Sequence, residues 1–192
     1  ETRAVANRGQ TAVAERIAQI EQGLPFPILG FDTDNGGEVL NWHLVGYFGQ
    51  RPVPVAFTRS RAYRKNDNAH VEQKNWTHVR QLVGYGRLEG ERAAELLNDL
   101  YAREWGWFRN FFCPAMKHLR TEVVGSRKKR IYDKPATPFQ RLKACQGVDP
   151  ASIAALQKRL DTLNPFAIKR VIERKLRAVL GLQVRRPARW AA

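Results

Sequence analysis

Apolar residues near the start of the chain recur at helical spacing. Val13, Ile17 and Ile20 stand at i, i+4 and i+7 and predict an amphipathic helix over residues 10–24, closed by Pro25 and Pro27. The run Ile28-Leu29-Gly30-Phe31 leads into Asp32-Thr33-Asp34 and reads as a buried strand. Asn35-Gly36-Gly37 breaks it, and a helix through about Phe48 follows, with Leu40, Leu44 and Tyr47 on one stripe. Val53, Val55 and Phe57 alternate with Pro54, Ala56 and Thr58, the period of a strand whose proline marks an edge or a start. Residues 59–70 are polar and basic and predict a loop. A helix is expected from about Ala69 to Val83 with Trp76, Val79 and Val83 inward, closed by Gly84 and Gly86. A longer one, from about Glu89 to Phe112, would bury Leu97, Leu100, Tyr101, Phe108 and Phe111 and end at Pro114.

Beyond residue 115 the pattern changes. Glu122-Val123-Val124 and Ile131-Tyr132 are β-like and flank Arg127-Lys128-Lys129-Arg130, and residues 134–148 read as a connection bearing proline and lysine. Asp149-Pro150 and Asn164-Pro165 each place a capping side chain before a proline suited to the first helical position. The two helices they start carry Ile153, Leu156, Leu160 and then Ile168, Ile172, Val179 as apolar stripes, with Gly181 as a stop. The tail from Gln183 holds Arg185, Arg186 and Arg189.

Charge changes the picture most. The 192 residues carry 33 Lys+Arg against 18 Asp+Glu, a net charge of +15. Residues 1–50 are net −3, and the surplus grows through +3 and +7 to +8 over residues 151–192. A strongly basic chain of this kind expects a polyanion as partner. No apolar run reaches the roughly 20 residues of a membrane span, and no secretory leader is evident, so no membrane partner is expected. Two cysteines, Cys113 and Cys145, are too few for a disulfide scaffold or a thiolate zinc site and suggest a reducing compartment. The four histidines do not complete zinc spacing with them.

The candidate chemistry lies in the acidic residues. A strand ending in a carboxylate delivers it to the rim where α/β folds build sites. Asp32 and Asp34 share a face by the period of two. Glu72, four and seven residues before Trp76 and Val79, falls on the extension of that helix's inward stripe. A carboxylate there must be paired or bound to a metal. Two such carboxylates on one rim suit Mg²⁺ or Mn²⁺, which take oxygen ligands. The plainer reading is that Asp34 begins a helix or an Asp-Asn-Gly turn, and that Glu72 is a first-turn acid favoured by the helix dipole.

Thr33-Asp34-Asn35-Gly36-Gly37-Glu38, a basic loop, and Asn68-Ala69-His70-Val71-Glu72-Gln73-Lys74-Asn75-Trp76 resemble the catalytic core of DDE transposases and integrases. They are closest to the retroviral-integrase-like transposases of bacterial insertion sequences. Phe57 to Asn68, Asn110 to Lys117 and Tyr132 to Leu142 extend the likeness over most of residues 10–145. The resemblance implies an α/β, RNase H-like (integrase core) fold and DNA transposition by metal-dependent strand cleavage and transfer. It makes Asp34 and Glu72 catalytic, metal-binding residues with Mg²⁺ (or Mn²⁺) as cofactor, and leaves Asp32 structural. It also implies element-end and target DNA as partners, a homo-oligomer, and a bacterial, cytoplasmic, nucleoid-associated location. Residues 1–31 contain no aspartate to match the family's first. The expected layout is therefore a partial core lacking its first strands over 1–115, a basic β segment and connector over 116–148, and a helical segment with a basic tail over 149–192. On that footing the chain alone is expected to be inactive, and a non-catalytic DNA-binding remnant is the alternative.

Arg59, Arg61, Arg64 and Lys65, in the loop before Glu72, are candidates for phosphate contact, or else a solvated loop. Lys74 lies about 200° around the helix from Glu72 and is assigned to DNA. Arg127, Lys128, Lys129 and Arg130 suit a β-ribbon along the phosphate backbone, with a nuclear localisation signal as the competing reading. The last helix presents Lys169, Arg170, Arg174, Lys175 and Arg177 opposite its apolar stripe, for DNA, a partner subunit or solvent.

Overall fold

In a computed structural model, the chain is described over residues 1–184 apart from 8, 34–41, 54 and 62–68. It is a mixed helix and strand protein, with two compact units. Unit 1 comprises Glu1–Ala102 and Glu173–Ala192, and unit 2 comprises Arg103–Ile172. The change of composition near residue 115 falls inside the second.

Unit 1 begins with α1 (Gln10–Gln22), β1 (Gly30–Thr33), α2 (Trp42–Gly49) and β2 (Ala56–Arg59). β1 and β2 run parallel, with Phe31 opposite Phe57 and Thr33 opposite Arg59. Parallel neighbours need a crossover connection, and α2 is placed in the chain to supply it. Its Phe48 ring centroid lies 5.1 Å from Phe31 and 6.4 Å from Phe57, and Leu44 and Phe48 are buried. The strands are shorter than their apolar runs. Leu29 and Val53 are exposed and lie outside β1 and β2. Glu21 of α1 takes both guanidinium nitrogens of Arg51 and the Tyr47 hydroxyl at 2.7 Å. Arg51 stacks over the Tyr47 and Phe48 rings at 4.8 and 4.9 Å. The guanidinium beside it lowers the Glu21 carboxyl below its ordinary value.

α3 (Ala69–Asn75) runs into a π-helical turn, Trp76–Arg80, and then α4 (Gln81–Val83). Gly84, at φ 71°, ends the run in the left-handed region open to glycine. α5 (Gly90–Leu100) buries Ala93, Ala94, Leu97 and Leu100, a stripe at helical spacing. Its Asn98 side chain receives the Ala4 N–H at 2.7 Å and donates to the Ala4 carbonyl at 3.0 Å, tying down the N-terminal residues. The helical course beyond α5 includes π turns at Tyr101–Trp105 and Phe108–Phe112.

In unit 2, β3 (His118–Val124) and β4 (Arg127–Tyr132) form an antiparallel hairpin. Val124 pairs with Arg127, so Gly125-Ser126 is a two-residue loop, and Gly125 at φ 62° supplies the positive φ such a loop requires. α6 (Pro138–Lys143) stands where the composition predicts an unstructured connection. Its start is a capping box: Thr137 Oγ1 accepts the Gln140 N–H at 3.2 Å and Gln140 Oε1 accepts the Thr137 N–H at 2.8 Å. Phe139 packs edge-on against Phe111 with centroids 5.2 Å apart. α7 (Pro150–Asp161) and α8 (Pro165–Leu180) start as the sequence indicates. Asp149 accepts the Ala151 and Ser152 N–H groups at 3.1 and 2.9 Å. Asn164 accepts those of Phe166 and Ala167 at 2.9 and 3.1 Å. Ile168, Ile172 and Val179 of α8 are buried as their stripe requires.

Candidate nucleic-acid interface

Asp34, Arg64 and Lys65 lie outside the described residues. Of the other carboxylates, Asp32 is exposed on β1, and its Oδ1 accepts the hydroxyl of Thr58, its cross-strand neighbour, at 2.8 Å. Near it, Thr33 and Ser60 turn inward with hydroxyls that find no hydrogen-bond partner.

Glu72 corrects the sequence reading. It lies on α3 as expected, but it is exposed and does not face the body. Trp76, four residues on and on the same face, is 50% exposed, while Val83 is 6% exposed. The intervening π turn is the cause. With i→i+5 hydrogen bonds it takes more than 3.6 residues for one revolution. The stripe through Glu72 and Trp76 therefore slips out of line with Val83. Lys74 is likewise exposed.

Among the described residues no group of three His, Cys, Asp or Glu side chains could hold a metal ion. Asp32 is already hydrogen-bonded to Thr58, and Glu72 points to solvent. Arg59, at the end of β2, and Arg61 are both exposed.

The basic run is where the structure concentrates charge. Arg127, Lys128, Lys129 and Arg130 are all exposed on β4. Cross-strand pairing sorts them onto two faces. Arg127 and Lys129 share one with Val124, Glu122 and Arg120, and there the Arg120 guanidinium lies 2.7 Å from Glu122. Ile131, partly buried, belongs to the same face. Lys128 and Arg130 share the other with Val123, Thr121 and Tyr132. His118 joins them, its ring 5.7 Å from Tyr132 and its Nε2 2.9 Å from Thr121 Oγ1. Residues three apart on a regular strand point to opposite faces. The register shift between His118 and Arg120 is a bulge, and it turns His118 back to the face of Thr121.

The base of the hairpin is clasped. Asp133 receives Arg141 Nη1 at 2.5 Å and Nη2 at 3.2 Å, and the Lys117 N–H at 2.6 Å. Arg141 also donates to the Ala115 carbonyl at 2.6 Å. The guanidinium of Arg141 and the Lys117 N–H hold the Asp133 carboxyl below its ordinary value. Sequence reasoning assigns no role to Asp133, Arg141, His118 or Thr121. Capping and charge patterns do not encode a bulge or a clasp closed between residues eight and 16 apart.

On the rest of the molecule, Lys169, Arg170, Arg174 and Arg177 of α8 are exposed, while Lys175 pairs with Asp99 at 2.6 Å. Cys113 is half-buried and Cys145 exposed, both as free thiols. No described helix is long and apolar enough to cross a membrane.

No protein-family model matches the chain, and no solved structure matches it. It is similar to an uncharacterized protein of Sinorhizobium fredii (strain NBRC 101917 / NGR234), y4rM, with 40% identity over 139 residues. That alignment covers 71% of this chain and 38% of the relative, so the match spans well under half of the longer protein.

Proposed function

We propose that this chain holds duplex DNA and is the C-terminal part of a DDE-type transposase of the bacterial insertion-sequence, integrase-like kind. The observation that carries the reading is the β3–β4 hairpin. Four consecutive cations stand exposed on one short strand, with Glu122 as the hairpin's only carboxylate, and a two-stranded ribbon of that charge suits a duplex phosphate backbone. The order of unit 1 supports the same family. Within it β1, α2, the parallel strand β2 and α3 follow in turn, with Asp34 next after β1 in the sequence and Glu72 on α3. An RNase H-like core lacking its first strands would have that order.

In this reading Arg59 and Arg61 contact phosphates, Lys74 faces DNA, and the hairpin makes its own contacts to the duplex backbone. Asp34 and Glu72 would hold Mg²⁺ or Mn²⁺ only with a further carboxylate, so the isolated chain performs no strand transfer. The complete enzyme acts as a homo-oligomer on element-end and target DNA.

Two measurements test this. Binding of a labelled duplex by the isolated chain should weaken steeply with salt, about 0.9 in log K per log salt for each phosphate contact, and salt-independent binding would defeat the proposal. In a longer product of the same gene, Asp34→Asn or Glu72→Gln should abolish Mg²⁺-dependent joining of labelled ends and leave DNA affinity unchanged or higher. Activity retained in both variants would remove these residues from the site. Binding without joining in any form would leave a non-catalytic DNA-binding remnant, which the hairpin's charge accommodates equally.

A further inference from the structure

The two faces of the β3–β4 hairpin are not equivalent, and their difference assigns the DNA-contacting side. We infer that duplex DNA is gripped by the face bearing Lys128, Arg130, Thr121, Tyr132 and His118, and that the Arg127–Lys129 face is turned from it. The inference rests on the DNA-holding role proposed above and deepens it.

Three observations carry it. The first is charge. Glu122 stands on the Arg127–Lys129 face, directly across from Lys129 and 2.7 Å from the Arg120 guanidinium. An approaching phosphate would meet that carboxylate. That face carries three cations, Arg120 among them, and one carboxylate, while the opposite face carries two cations and no carboxylate to repel a phosphate. The second is burial. Glu122 and Ile131, on the first face, are the only half-buried residues of the two strands, so this side is the less open to a ligand. Every residue of the Lys128–Arg130 side is exposed.

The third is the bulge. It brings His118 onto the face it would otherwise leave, where its ring meets Tyr132 and its Nε2 reaches Thr121 Oγ1. A hydroxyl, a phenol, an imidazole and two cations then share one exposed face, with Val123 as its apolar member. Bulges commonly serve to re-aim a side chain. A two-stranded ribbon is narrow enough for the major groove, where such groups reach phosphates on the walls or base edges on the floor. Acidic protein would find the same cations, but this face's mixture of hydroxyl donors and flat rings suits a nucleic-acid groove.

The test uses the whole 192-residue chain and an end-labelled random-sequence duplex of about 20 base pairs, with anisotropy followed across a salt series. Lys128→Ala with Arg130→Ala should lower the salt slope by roughly 1.8 and weaken binding on the order of 50-fold at about 0.1 M salt. Arg127→Ala with Lys129→Ala should change the slope by less than about 0.9. As a second pair that does not depend on removing cations, Thr121→Glu places a carboxylate on the gripping face and should abolish binding. Val124→Glu places one on the other face and should be tolerated. Thermal unfolding of each variant confirms that the hairpin's host remains folded. Equal losses from the two faces would overturn the assignment and leave the DNA-holding role standing. Binding unaffected by all four variants would remove the hairpin from the interface, and with it the observation on which the proposed function rests.

Discussion

Asp133 and Arg141 close the β3–β4 hairpin at its base through a two-point ion pair of 2.5 and 3.2 Å, with the Lys117 N–H completing the carboxylate's shell. Asp133 directly follows β4 and Lys117 directly precedes β3, so one side chain joins both ends of the ribbon to α6. A two-stranded hairpin is marginal by itself in water, and this clasp gives it a fixed root.

The clasp is titratable. The folded carboxyl lies below the ordinary aspartate value of 3.8, first because of Arg141. Its contribution is therefore present above that value and is lost as pH falls through the lower, folded one. In Arg141→Ala the Asp133 carboxyl should titrate nearer 3.8, and amide exchange along His118–Val124 should quicken while α7 is unaffected. Carbon-detected NMR of the carboxyl and hydrogen exchange read both effects. An unchanged Asp133 titration would show that the pair does not form in solution.

Thr33 and Ser60 are 2% and 6% exposed, with hydroxyls lacking any partner. A buried, unpaired hydroxyl keeps its desolvation cost without return. Thr33→Val preserves the shape and removes that cost, and valine also favours a strand. We expect a gain of about 1 kcal/mol in urea unfolding. A loss of stability would mean that the hydroxyl is satisfied in solution.

Tyr101 is buried, its hydroxyl 3.4 Å from the His78 carbonyl. Burial pushes the phenol up from 10 to about 12. Because the folded value is raised, stability from this group is full below pH 10 and is lost as pH climbs from 10 towards 12. Ultraviolet titration should show Tyr101 ionising late, alongside Tyr47, whose hydrogen bond to Glu21 also raises it, together with alkaline unfolding. Tyr101→Phe should flatten that alkaline slope and cost under about 1 kcal/mol at neutral pH, since the hydrogen bond is long.

Leu100 is fully buried at the end of α5, and Thr137 caps α6. Leu100→Ala should cost about 2–5 kcal/mol through lost transfer energy and a cavity. Thr137→Ala should cost about 1 kcal/mol by freeing the Gln140 N–H. Denaturant unfolding that ranks the two in the reverse order would contradict the assigned packing.

Elements set by neighbouring residues are legible in the sequence. Asp149-Pro150 and Asn164-Pro165 start α7 and α8 because a cap and a restricted φ act within three residues. The capping box of Thr137 and Gln140 is equally local, yet the surrounding lysines and prolines disguise it as connection. The stripes of α5 and α8 bury as their periodicity requires. Glu72 is legible in position but not in direction, because a π turn inside an apparent helix shifts its phase without changing its composition.

The sequence by itself determined where α7 and α8 begin, which residues of α5 and α8 form the core, and that basic charge accumulates beyond residue 50. Those properties depend on side chains within a few positions and on their sum. Tertiary structure alone decided that β1 lies parallel to β2, that Glu72 and Trp76 face outward, and that His118 stands beside Thr121 over the cations of β4. Each of these depends on hydrogen bonds between distant or irregular backbone segments, where a single extra residue changes which way a side chain points.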